Sequence, residues 1–150
     1  MVDRTRSPFL ANGESLYLKR LRRYAQMEWI EVRPARIKKG RSEEEILLME
    51  GQAIIKKIGN RGYLVTLDRN GREYDSERLA EWLNQTSIHH PGGITFVIGG
   101  PLGLSKEILE RADMILSLSK LTLTHEMSRL FLLEQIYRAF TILEGHQYHR

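Results

Sequence analysis

Val97-Ile98-Gly99-Gly100-Pro101-Leu102-Gly103-Leu104-Ser105 joins an apolar run to a helix start. Residues 94–98 make a short apolar run of the kind found in strands buried on both faces. The glycines remove Cβ atoms, which serves either a ligand that approaches the backbone closely or simply a tight strand-to-helix turn. Pro101 stiffens the loop, and Ser105 is placed to cap a helix over residues 105–112. The run lacks the G-x-G-x-x-G spacing of a dinucleotide site and the Gly-Lys-Ser/Thr of a phosphate loop.

Outward from this stretch, strand and helix signals alternate. Upstream, residues 63–67 read as a buried strand ending at Asp68, Asn70-Gly71 marks a turn, and a helix spans residues 76–84. Ser42 and Glu45 have the spacing of a capping box, opening a helix that Gly59 stops. Ser7-Pro8 starts an earlier helix, and residues 27–32, with Trp29, Ile30 and Val32, read as a strand. Downstream, residues 114–118 form a strand, and a long last helix covers residues 125–143. The alternation predicts an α/β fold, a mostly parallel sheet with helices on both faces, in one domain spanning residues 1–150. In such sheets ligands bind beyond the carboxyl ends of the strands. Those ends are Leu67-Asp68, residues 99–103 and residues 118–123.

Composition narrows the function classes. The 150 residues include no cysteine, which excludes a disulfide framework and a thiolate metal site. His89-His90 reads as a loop pair rather than a ligand pair, so no metal is expected. The apolar runs are too short to span a bilayer and the amino end is polar, so a cytoplasmic protein without a membrane partner is expected. The net charge of +4 is uneven: residues 1–41 hold eleven Lys or Arg against four acids, or +7, and the rest hold twelve against fifteen, or −3. That concentration suits a polyanionic partner, although a solvated face has the same look.

A wider set of residues carries a resemblance that no fragment carries alone. Residues 97–105, then Leu116-Ser-Leu-Ser-Lys-Leu-Thr-Leu-Thr-His125, Leu133-Glu-Gln-Ile-Tyr-Arg-Ala-Phe140 and the ending His146-Gln-Tyr-His-Arg150 occur in that order. Val65-Thr-Leu-Asp68, Thr5-Arg-Ser-Pro-Phe9 and Tyr17-Leu-Lys-Arg-Leu21 extend the pattern over nearly the whole chain. The sequence resembles the ribosomal RNA large subunit methyltransferase H family, minimal members of the SPOUT class. The resemblance implies an S-adenosyl-L-methionine-dependent methyltransferase acting on N3 of a pseudouridine in large-subunit (23S) ribosomal RNA of assembled ribosomes. It also implies a homodimer and a deep trefoil knot in the C-terminal part, which periodicity cannot reveal.

By position, the resemblance implies that Leu67, Gly99, Gly100, Leu118, Ser119, Lys120, Leu121, Thr122 and Leu123 surround the cofactor. It assigns His125, Arg138, Tyr148, His149 and Arg150 to the catalytic side. His125 either orients the substrate or caps the last helix, and Arg138 either meets RNA phosphate or pairs with Glu134 at i,i+4 spacing. The dimer interface is expected on residues 126–143, where Met127, Leu130, Phe131, Leu132, Leu133 and Ile136 make the helix apolar on more than one side. Two departures stand out. Gln147 replaces the family's usual proline. Met1-Val2-Asp3-Arg4 leaves no room for the family's first apolar strand, so that strand is absent or truncated here, or the start is misassigned. Two other readings explain less. A non-catalytic RNA- or ribosome-binding protein of the same fold gives the pocket series no use. An enzyme with a phosphate-bearing ligand at the glycine loop leaves residues 118–123 and the tail unexplained.

Overall fold

The computed structural model describes residues 1–35, 40–59, 62–146 and 148. In chain order these form α1 (Pro8–Leu21), α2 (Glu43–Ile58), β1 (Tyr63–Arg72), α3 (Ser76–His89), β2 (Ile94–Val97), α4 (Lys106–Arg111), β3 (Met114–Leu116) and α5 (His125–Leu143). Local chemistry sets most helix ends. Ser7 accepts from the Leu10 N–H with Pro8 in the first turn of α1. Both halves of the Ser42–Glu45 capping box are present at α2, whose first turn carries three glutamates toward the positive end of the helix dipole. Asp75 caps α3, accepting from Arg78 N–H at 2.8 Å.

The sheet has the order β2-β1-β3 and both pairings are parallel. Because side chains alternate along β1, Val65 points into one core and its neighbour Leu64 into the other. The first core gathers Leu21, Leu79, Leu83, Leu132, Leu133 and Ile136, which places α1, α3 and α5 on one face. The second gathers Ile54, Val97 and Ile108, which places α2 and α4 on the other. Fully burying a side chain such as Ile108 is worth about 1.5–3 kcal/mol, so each face has its own anchor.

Four local expectations are revised. Asn70-Gly71 does not end the strand. β1 runs on to Arg72 with a register irregularity in which Leu67 and Arg72 both pair with Leu116. The turn chemistry survives inside it, since Asp68 Oδ1 accepts from the Asn70 N–H at 2.8 Å. Ser105 occupies the cap position of α4 but its hydroxyl makes no capping bond and is buried without a partner. The helix read at residues 76–84 continues to His89, because Thr86 is on the buried side and extends the stripe. Finally, residues 27–32 are not a strand. Only Val32 joins a bridge, in parallel with Val2. A strand needs a hydrogen-bonded neighbour, and between residues 26–30 and the free edge of β2 lies a cavity instead.

Candidate active site

The carboxyl ends of β1, β2 and β3 open into one cavity of about 530 Å³. Its floor is apolar and buried, made by Ile98, Gly99, Gly100 and Leu116. Leu67, Leu118, Leu121 and Leu123 add apolar walls, and Ser119, Thr122, Thr124 and Ser128 bring hydroxyls. The glycine loop is folded back on itself: Gly103 N–H donates to the Gly100 carbonyl at 2.9 Å. At Gly99 a Cβ would stand 2.3 Å from the Gly103 carbonyl oxygen, so only glycine permits this closure. The second loop is braced from within, Ser119 Oγ accepting from Leu121 N–H at 3.0 Å and Ser117 Oγ donating to the Ser119 carbonyl at 3.2 Å.

Of the nine residues expected around a cofactor, eight line this cavity. Lys120 does not. It points outward to Glu73 with an N···O distance of 3.7 Å. His125 lines the cavity from the first turn of α5, whereas the capping role there belongs to Thr124, which accepts from Met127 N–H. Asp68, named from sequence with Leu67 as a strand end, lines the cavity, as do Arg69, Thr124 and Ser128, which were not singled out from sequence. Thr124 and Ser128 could have been found, being at the cap and one turn on, where both share a face with the loop before them.

The remaining catalytic candidates sit elsewhere. Arg138 is thirteen residues beyond His125 on α5, or about 20 Å along the axis. There it donates from Nε to Glu134 at 3.1 Å, the i,i+4 pairing that sequence left open. Its guanidinium also lies 5.1 Å from the ring centre of Tyr148. Tyr148 packs edge-on against Tyr137, with centroids 4.9 Å apart, and its hydroxyl is 3.1 Å from that of Tyr17. Arg20 stands over Tyr17 and Tyr137, so the corner is a lattice of rings and cations. Burial, reinforced by the bond to Tyr17, pushes the Tyr148 hydroxyl up to about 12. Hydrogen bonding to Glu134 raises Arg138 further. His149 and Arg150 lie outside the described residues.

Two further features frame the site. Along α5, Leu132, Leu133 and Ile136 are buried while Met127 and Phe131 are about 40% exposed, and Leu121 beside the cavity is 76% exposed. Among the described residues no three His, Cys, Asp or Glu side chains are grouped to hold a metal ion, and no helix is long and apolar enough to cross a membrane.

Comparison with known proteins gives a consistent picture. Residues 1–149 match the family described as "Predicted SPOUT methyltransferase". Proteins named ribosomal RNA large subunit methyltransferase H from Streptococcus thermophilus and Carboxydothermus hydrogenoformans are each 40% identical over 152 residues, covering 99% of this chain and 96% of theirs. The protein of that name from Streptococcus pneumoniae is 41% identical with the same coverage.

Proposed function

Since the chain belongs to the ribosomal RNA large subunit methyltransferase H family of SPOUT methyltransferases, we propose that it methylates N3 of a pseudouridine in 23S ribosomal RNA, with S-adenosyl-L-methionine as donor. The observation that carries this reading is the cavity at the three strand ends, where Leu67, Gly99, Gly100, Leu118, Ser119, Leu121, Thr122 and Leu123 converge. Its volume, apolar walls and few directed polar groups suit an adenosyl group. The residues therefore fit the cofactor, which would supply a methyl group already activated on a sulfonium.

The protein's part is alignment. Leu118, Leu121 and Leu123 would hold the adenine side and exclude water, and the glycine loop would let the cofactor lie against backbone. His125, at the cavity wall, would orient the acceptor base. As the N3–C bond forms, the donor's S–C bond would break to leave a neutral thioether and the N3 proton would pass to solvent water; an in-line approach at near-contact distance contributes to the rate. Tyr148 is not suited to take that proton: with its hydroxyl pushed up to about 12 it stays a phenol at neutral pH. It serves instead as a stacking ring and hydrogen-bond donor, with Arg138, His149 and Arg150 providing positive charge for the displaced pseudouridine.

Within one protomer Arg138 and Tyr148 sit at the far end of α5 from the cavity. The working unit is therefore a homodimer in which a second copy's tail completes the site, with Met127 and Phe131 in the interface. The domain is single, spans residues 1–150, carries the trefoil knot of its class and works in the cytoplasm on the assembled ribosome.

Calorimetric titration with S-adenosylmethionine, with sedimentation on the same sample, tests this. Saturable binding by a dimer, competed by S-adenosylhomocysteine and not by nucleotides, is expected. Removing residues 148–150 should preserve that binding and abolish methyl transfer to ribosomes. A folded dimer without cofactor affinity overturns the reading.

A further inference from the structure

Between Leu67 and Arg72 the first strand leaves the sheet. Both residues pair with Leu116, so residues 68–71 are spare chain that β3 does not use. An irregularity of this kind re-aims side chains. In a regular strand Asp68 and Arg69 would face opposite sides, yet both stand on the wall of the cavity at the strand ends. The excursion is fixed from within and from behind. Asp68 Oδ1 accepts from the Asn70 N–H at 2.8 Å, and a Cβ at Gly71 would stand 2.6 Å from the Ile115 carbonyl oxygen, so only glycine lets the chain rejoin β3 there.

Arg69 is exposed at this rim and its charge is unmatched. Among the described residues no carboxylate lies within ion-pair distance of its guanidinium. Glu73, four residues on, is taken by Lys120 at 3.7 Å. Apart from the titratable ring of His125, the rest of the cavity lining is uncharged. Its permanent charges are therefore one carboxylate and one guanidinium, on consecutive residues. S-adenosylmethionine has one part that matches this pattern: its amino-acid end, with an α-carboxylate and an α-ammonium on one carbon. A guanidinium presents its N–H groups as a fork that fits both oxygens of a carboxylate. An RNA phosphate also suits a guanidinium, but the adjacent Asp68 repels a polyanion and attracts the ammonium of a zwitterion.

We propose that Arg69 selects the cofactor by its α-carboxylate, with Asp68 taking the α-ammonium. The assignment rests on the reading of this cavity as the cofactor site. Leucines hold the adenine and the charged pair holds the opposite end, so the sulfonium between them is fixed without a group of its own. The apolar floor stays free of charge, and the two charged side chains remain at the rim, where water lowers the cost of holding them.

The test is calorimetric titration of the full chain with two ligands. S-adenosylhomocysteine has the complete amino-acid end, and S-adenosyl-3-thiopropylamine keeps the amine but lacks the carboxylate. The wild-type protein should bind the first about tenfold more tightly than the second. Arg69→Met should weaken S-adenosylhomocysteine by about tenfold without weakening the amine, so the preference disappears. Arg69→Lys, a point charge without the fork, should keep part of the preference. Arg72→Met, on the same strand but off the cavity wall, should keep all of it. A preference that survives Arg69→Met overturns the proposal, as does one lost equally in Arg72→Met, which would mean a general effect of charge. Equal weakening of both ligands by Arg69→Met also overturns it, since the loop itself would then have moved. Reduced ribosome affinity with the preference intact assigns Arg69 to RNA phosphate instead. A folded wild-type protein that binds neither ligand removes the cofactor reading and this proposal together, whereas binding of both with no effect of Arg69→Met removes this proposal alone.

Discussion

The Tyr17 and Tyr148 hydroxyls lie 3.1 Å apart, so the end of the chain is tied to its first helix. The tie is neutral and partly buried, and this fixes its response to alkali. Below about pH 10 the folded and unfolded states both hold the Tyr148 proton. Between about 10 and about 12 the folded state alone still holds it, so stability falls as pH rises through that window. Burial also raises the Tyr24 and Tyr63 hydroxyls, so tyrosinate absorbance should show several rings titrating late, and Tyr17→Phe should bring the Tyr148 step earlier.

Arg129 is the most exacting buried group. It donates to Thr5 Oγ1 at 2.8 Å, to the Asp3 carbonyl at 3.1 Å and to the Val2 carbonyl. Arg129→Met removes every one of these donors from acceptors that stay partly or wholly buried. Urea unfolding should report a loss of about 3 kcal/mol, with Arg129→Lys recovering part of it.

Gly99→Ala adds a Cβ 2.3 Å from a backbone oxygen that cannot step aside. The loop over residues 99–103 must open, while the cores on either side of the sheet are untouched. Affinity for S-adenosylmethionine should fall at least tenfold in calorimetry, at a cost in stability of about 1–3 kcal/mol.

Glu50 lies buried beneath the glycine loop, accepting from Ala35 N–H at 3.1 Å. Burial raises its carboxyl above the ordinary 4.5. The folded state therefore binds more protons just above pH 4.5, and stability contributed by the protonated form is lost as pH rises through the raised value. Glu50→Gln keeps an acceptor for Ala35 and removes the titration. The variant should be the more stable protein at pH 7, and the difference should shrink toward pH 4 in paired denaturant melts.

Much of this architecture is legible in the residues. The helix starts at Ser7-Pro8 and Ser42 and the apolar runs at residues 63–67 and 94–98 are local signals, and local signals fix elements. The cavity residues were legible as strand ends from the alternation of elements, and as a cofactor site only through their ordered combination, because Gly99 and Leu118 are far apart in sequence and meet only where parallel strands end together. What stayed illegible is nonlocal. Lys120 has the same loop context as its neighbours, yet it turns outward to Glu73 across the bulge in β1. Residues 27–32 have strand composition, and whether they form one depends on a neighbour that their own sequence does not specify. Ser105 looks like a cap, but the packing of α4 buries its hydroxyl away from the helix it precedes.

The span of α5 has one more consequence. With the cavity at the His125 end and the aromatic tail at the other, each dimer on the composite-site proposal holds two workplaces, each built from halves of different chains. Damage to the cavity of one chain and to the tail of the other therefore falls on the same workplace and leaves the second intact. Mixing two inactive proteins, Gly99→Arg, whose side chain blocks the cavity, and the tail-truncated form, should yield methylating hybrids once their subunits exchange, with half of randomly paired dimers carrying one sound workplace.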